Sequence, residues 1–161
     1  MSLFARLIYS SLMWKARRRA GSTTPREPEQ PGNPRGEAVH LETGRRGEML
    51  AYWYLRSVGY VVVARNLRMW PGAGELDLVG WDGKILAFVE VKTRTSDAAG
   101  PPEAAVTQRQ QERIVQSARF YVRRLRQKAV NYRFDIVSVA WEPQKGYAVR
   151  LIKDAFKAEP R

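Results

Sequence analysis

The sequence predicts an α/β domain, in the order helix, three strands, helix, two strands, built around a mixed central sheet. Three observations carry that expectation. Asp82-Gly83 stands between two apolar runs, a hairpin signal, because Asp-Gly tolerates the positive φ angles of a tight turn. Residues 47–58 and 103–128 repeat apolar side chains at helical spacing. Residues 60–66 and 132–141 are rich in β-branched and aromatic residues, as strands are.

Length and composition set the bounds. A chain of 161 residues suits one domain with tails, and 44% hydrophobic and 11% aromatic residues suffice for a core. There is no cysteine and one histidine, His40, which excludes disulfides, thiol catalysis and Cys/His zinc sites. Any chemistry must therefore run on carboxylates, lysines or hydroxyls. The net charge is +12, from 28 Lys+Arg against 16 Asp+Glu, with an isoelectric point near 10.5. A polyanionic partner follows, nucleic acid before membrane.

Residues 1–20 read as a basic amphipathic helix, with Leu3, Leu7 and Trp14 near one stripe and Lys15, Arg17, Arg18 and Arg19 at its end. Arg6 interrupts the apolar part, so it is a poor signal peptide, and it is too short to span a bilayer; a cytoplasmic location is expected. Such a helix can pack on its own domain or a partner, lie on a membrane surface, or hold nucleic acid. Packing, or an extension of no consequence, is favoured. Residues 21–43 carry Pro25, Pro28, Pro31 and Pro34 among small and polar residues, and are expected to be a disordered linker, with His40 a solvated loop residue at its end.

The domain is expected over residues 44–155. Its first helix, 47–58, stops at Gly59 and sets Glu48, Ala51, Tyr52 and Leu55 on one stripe. Glu48 thus faces inward: it either complements the helix dipole or adds an acid to a site beneath. The strand 60–66 follows, then the hairpin, a polar loop over 96–102, and the long helix. One face of that helix is apolar; the other carries Arg109, Arg113, Arg119, Arg123 and Arg124, a face suited to phosphates or simply to water. Strands over 132–141 and 147–152 complete the domain.

The hairpin GELDLVGWDGKILAFVEVKTRT is the centre of interest. Glu75 and Asp77 share a strand face, as do Glu90 and Lys92. A loop centred on Asp82-Gly83 pairs Glu75 with Glu90 and Asp77 with Phe88, leaving Asp77 and Glu90 as diagonal neighbours. Half-buried like charges repel and need a partner or a shifted pKa. A divalent, magnesium-type cation would relieve both, since it accepts one or two carboxylates and keeps several waters.

The segments GRRGEMLAYWYLRSVGY, ARNLR, GELDLV, FVEVKTR, ARFYV and RFDIVSV resemble the YraN-like family of bacterial proteins, assigned to the PD-(D/E)XK nuclease fold. The resemblance runs in order over residues 44–140. Asp77, then Glu90-Val91-Lys92 after twelve intervening residues, matches the nuclease signature, and Glu48 matches the helix glutamate of the Holliday-junction-resolvase branch. Arg109 stands where that family would carry lysine.

The resemblance implies a restriction-endonuclease-like core and a nuclease acting on nucleic acid, DNA ahead of RNA and structured or branched DNA in particular. It implies Glu48, Asp77, Glu90 and Lys92 as the catalytic set. Mg²⁺ or Mn²⁺ would sit on Asp77, Glu90 and the Val91 carbonyl, with Glu75 supporting from behind. Arg94 and the basic helix would contact the phosphate backbone, setting position rather than sequence. Junction-cutting relatives act as dimers, so a homodimer is open to it. Two alternatives stand beside this: a non-catalytic nucleic-acid-binding protein on the same fold, and a scaffold protein acting through its N-terminal helix.

Overall fold

The computed structural model describes residues 3–20, 34–94, 102–125, 130–142 and 146–158. Helices α1 (Leu3–Ala20) and α2 (Pro34–Ser57) precede three strands, β1 (Val61–Arg68), β2 (Glu75–Asp82) and β3 (Ile85–Arg94). A short 3₁₀ turn (Pro102–Ala105) leads into α3 (Gln108–Arg124), and β4 (Tyr132–Glu142) and β5 (Gly146–Phe156) close the order. The five strands form one sheet in the order β1-β2-β3-β4-β5. Three pairings are antiparallel and β3–β4 is parallel, so the sheet is mixed and α3 is the crossover that a parallel pair needs.

Both faces of the sheet are covered, which is why its inner strands read as unbroken apolar runs. Leu50, Ala51 and Leu55 of α2 pack on Leu78, Ala87, Val89, Val137 and Val139. Ile114, Val115 and Ala118 of α3 pack on Leu76, Val79, Leu86, Phe88, Phe134 and Ile136 on the other side. Phe88 is fully buried, with the rings of Tyr121, Tyr132 and Phe134 at 5.8, 5.8 and 5.9 Å. Truncating such a residue to alanine costs about 3–5 kcal/mol. Leu12 and Met13 of α1 pack against the α2-side cluster and Ala5 is fully buried, so α1 docks on its own domain. No helix among the described residues is long and apolar enough to cross a membrane.

Four sequence expectations are corrected. The segment from Pro34 to Thr43, expected as linker, is the first half of α2, and His40 falls within it. Pro34 occupies the first helical position, where its missing N–H is no loss and its fixed φ suits the helix. Residues 21–33 lie outside the described residues. The long helix begins at Gln108 rather than Glu103, because Thr107 caps it: its side chain accepts from the Gln110 N–H while the Gln110 side chain accepts from the Thr107 N–H. The last strand extends to Phe156. Finally, the β2–β3 register is Asp82↔Ile85 to Leu78↔Val89. Gly83, at φ +60°, takes the first loop position. The turn centre therefore moves on by one residue, and every cross-strand pairing shifts by two.

Away from the site described below, a polar network ties β2, β4 and β5 to the residue that precedes β1. Asp135 is fully buried in β4 and accepts from the Tyr60 hydroxyl (2.9 Å), Arg133 Nε (2.8 Å) and the Asp154 N–H (2.8 Å). Arg133 also donates to Asp82 (2.6 Å), which Lys153 reaches as well (2.6 Å). Burial, then the Asp135 charge, pushes the Tyr60 hydroxyl far above its ordinary value, so it stays a donor at any physiological pH. Arg133 and Asp82 hold each other charged, and the bonds from Arg133 and Lys153 keep the Asp82 carboxyl below its ordinary value.

Candidate active site

The β2–β3 ladder stops at Leu78↔Val89. One step further the same register would set Asp77 against Glu90; here the strands part, and the Val91 N–H donates to Asp77 Oδ2 at 2.7 Å instead of to a ladder carbonyl. In an extended strand the N–H and C=O of one residue point to the same side. The Val91 carbonyl therefore opens toward the same gap as Asp77.

Each acid is fixed by a different element. Glu90 and Lys92 alternate onto one face of β3 and form an ion pair at 2.8 Å, with side chains only 12% and 20% exposed. Glu48, on α2, accepts from Asn66 Nδ2 at 2.7 Å. Asn66 lies within β1 in the left-handed region, at φ +48°, a conformation asparagine tolerates better than most residues. The helix comes close because Gly47 has no side chain: a Cβ there would run into Thr93 Oγ1 of β3. On the other side, α3 holds the start of β2. Ser117 Oγ donates to the Gly74 carbonyl at 3.0 Å, and a Cβ on Gly74 would lie 2.8 Å from Arg113 Cβ.

The result is an acid in an unfavourable place. Burial first, then the Glu90 charge and more weakly Glu48, push the Asp77 carboxyl up from 3.8 to about 7, against the Val91 N–H and Lys92, which lower it. Asp77, Glu90, Glu48, Lys92 and the Val91 backbone thus converge, whereas Glu75 does not join them. It pairs with Arg68 across β1–β2, at 2.7 Å. Among the described residues, no three His, Cys, Asp or Glu side chains converge closely enough to hold a metal alone. A donor set of two carboxylates and one carbonyl still fits a magnesium-type ion, which fills its remaining positions with water. An added positive charge would also offset the repulsion that raises Asp77.

The basic residues divide. Arg109, Arg113, Arg119 and Arg123 of α3 line, with Lys157, a groove of about 980 Å³ on the outer side of that helix. Arg124 lies over the Phe120 ring at 5.0 Å, and Arg94 ends β3 opposite Ala140. The contact of Gly74 with Arg113 joins this helix to the strand that carries Asp77. Sequence reasoning passed over the network around Asp135. The signal was present: Arg133 and Asp135 are a charged i, i+2 pair inside an apolar strand, the same pattern that drew attention to Glu90 and Lys92.

Residues 47–139 match the Uncharacterised protein family UPF0102. Among curated proteins, the chain is similar to a UPF0102 protein of Solibacter usitatus, 58% identical over 60% of this chain and 73% of that one. It is also similar to those of Koribacter versatilis (45%; 74% and 82%) and Syntrophus aciditrophicus (42%; 73% and 91%). The matched region takes in α2 from Gly47, the hairpin and α3, and ends within β4.

Proposed function

We propose, for a chain that belongs to the uncharacterised protein family UPF0102, the YraN-like family, a metal-dependent phosphodiester hydrolysis: an endonuclease acting on nucleic acid, structured or branched DNA first. The observation that carries this is Asp77, half-buried beside Glu90 where β2 and β3 part and held there by the Val91 N–H. Asp77 and Glu90, with the Val91 carbonyl, are the residues that would hold Mg²⁺ or Mn²⁺. When bound, such an ion supplies Lewis acidity toward a phosphate oxygen and makes water a better nucleophile.

The protein's own groups account for the remaining work. Hydrolysis adds water at phosphorus and expels a sugar oxygen, so negative charge grows on the phosphate oxygens. Lys92, held at the mouth of the gap by Glu90, offsets that charge. Glu48, oriented by Asn66, can hold a water or accept its proton. The arginines of α3 fix the backbone, and hence the position, without reading sequence. Glu75, paired with Arg68 on the neighbouring strand, takes no part in this set.

One observation favours a second reading. The Glu90–Lys92 ion pair already neutralises half the acid pair, as suits a non-catalytic nucleic-acid-binding protein on the same fold. The test is cleavage measured beside binding, on branched and linear DNA and RNA, with Mg²⁺ and Mn²⁺ and with Glu90→Gln as control. Binding of the wild type without any metal-dependent cleavage would discard the enzyme and leave the binding protein.

A further inference from the structure

A second set of cations lies on the other side of the acid pair from α3. Glu48, Tyr52 and Arg56 succeed one another at four-residue intervals, and so line one side of α2 running outward from the site. β1 follows the same line. Asn66 bonds Glu48, and Arg65, its neighbour in sequence, lies over the Tyr52 ring at 4.6 Å. Arg56 donates to the Tyr52 hydroxyl at 2.8 Å and lies 5.4 Å from the Trp53 ring centre. Arg65 is exposed and Arg56 half-buried. No carboxylate among the described residues pairs with either. Arg68 on the same strand, by contrast, is neutralised by Glu75.

A guanidinium held against an aromatic ring keeps most of its five N–H donors for an anion and loses little further freedom when it bonds one. Two such groups, one and two helical turns from an acid of the site, suit phosphates of a strand that has passed through it. We propose that Arg65 and Arg56, held on Tyr52 and Trp53, contact the backbone of nucleic acid beyond the scissile position, opposite the α3 groove. This rests on the nucleic-acid reading above and deepens it. A site flanked by phosphate contacts on both sides takes an interior stretch of strand rather than an end.

The test is equilibrium binding of a fluorescent duplex and a four-way DNA junction by the full-length protein in EDTA, across a range of salt concentrations. Arg65→Gln and Arg56→Gln should each lower the log–log salt slope by about one, and each weaken binding roughly fivefold or more near 0.1 M salt. Lys84→Gln removes the same charge at the turn end of the hairpin and should leave the slope unchanged. Melting temperatures confirm that each variant is folded. If the arginine variants behave like Lys84→Gln while reversal of Arg119, Arg123 and Arg124 to Glu abolishes binding, this second surface is refuted and the functional reading survives. If the wild type binds neither probe at low salt, both fall.

Discussion

Replacing Asp77 with asparagine tests the electrostatics of the site without a substrate. In the metal-free protein the Asp77 carboxyl titrates near 7, raised from 3.8 by burial and by Glu90. The folded state therefore binds more protons than the unfolded chain between about pH 4 and 7, and linkage makes stability fall as pH rises through that window. The stabilising contribution of the protonated acid is complete below about pH 4 and gone above about pH 7. Each pKa unit is worth ~1.4 kcal/mol, so a shift of roughly three units sets a ceiling of ~4 kcal/mol at pH 8. Asparagine resembles the protonated acid: it can still accept from the Val91 N–H, and its amide can donate toward Glu90. Recovering half the ceiling, ~2 kcal/mol, raises the melting temperature by roughly 4–8 °C. The assay is thermal unfolding in EDTA from pH 4 to pH 8, for wild type and Asp77→Asn. The two curves should meet near pH 4 and diverge toward pH 8, with the variant the more stable. A difference that does not change with pH, or a variant less stable at pH 8, would refute the view that Asp77 is held half-buried against a like charge.

Millimolar Mn²⁺ or Mg²⁺ should raise the melting temperature of the wild type by ~2–6 °C at ten times Kd, and that of Asp77→Asn hardly at all; equal shifts would remove Asp77 from the ligand set. Gly47→Ala gains up to ~1 kcal/mol of helix propensity but meets Thr93 Oγ1, an overpacking cost of ~1–3 kcal/mol. The net loss of stability should be relieved by Thr93→Ala, and a Gly47→Ala protein more stable than wild type contradicts the close approach of α2 to β3. Tyr60→Phe should cost ~1–3 kcal/mol in denaturant unfolding, since Asp135 loses a buried donor, while nucleic-acid binding stays as it was. Reversing Arg119, Arg123 and Arg124 to Glu should weaken binding alike for all sequences and flatten its salt dependence; an unchanged slope would mean that α3 does not face phosphate.

How much of this was legible depends on distance along the chain. The hairpin announced itself through Asp82-Gly83 and its flanking apolar runs, and strand alternation put Glu90 beside Lys92. Helical spacing turned Glu48 inward. The register was less accessible, because a turn centred on Asp82-Gly83 and one centred on Gly83-Lys84 fit the same composition, yet differ by two in every pairing. Glu75 looked like part of the site until the β1 register set it against Arg68, which nothing local in the sequence announces. The start of α2 was hidden for a different reason. Pro34 closes a run of prolines typical of a linker, but a proline also opens helices, and only the packing that follows distinguishes the two. Asp82, Arg133 and Lys153 come from three strands, and Tyr60 from the residue just before β1, all far apart in sequence, so their network existed only once the sheet was assembled.

The parting of β2 from β3 leaves the molecule with a built-in spectroscopic probe. Within a sheet a backbone N–H bonds to a neutral carbonyl and is indifferent to the protonation of nearby side chains. That of Val91 bonds to a carboxylate which titrates near neutrality. A charged acceptor draws an amide proton more strongly than a neutral one. The Val91 amide resonance should therefore move with Asp77 and exchange with solvent at a rate set by that one side chain, while Val89, paired in the ladder with Leu78, stays still. A single backbone nucleus then records whether the site is protonated, ionised or holding a cation, with no label attached to any residue that does the chemistry.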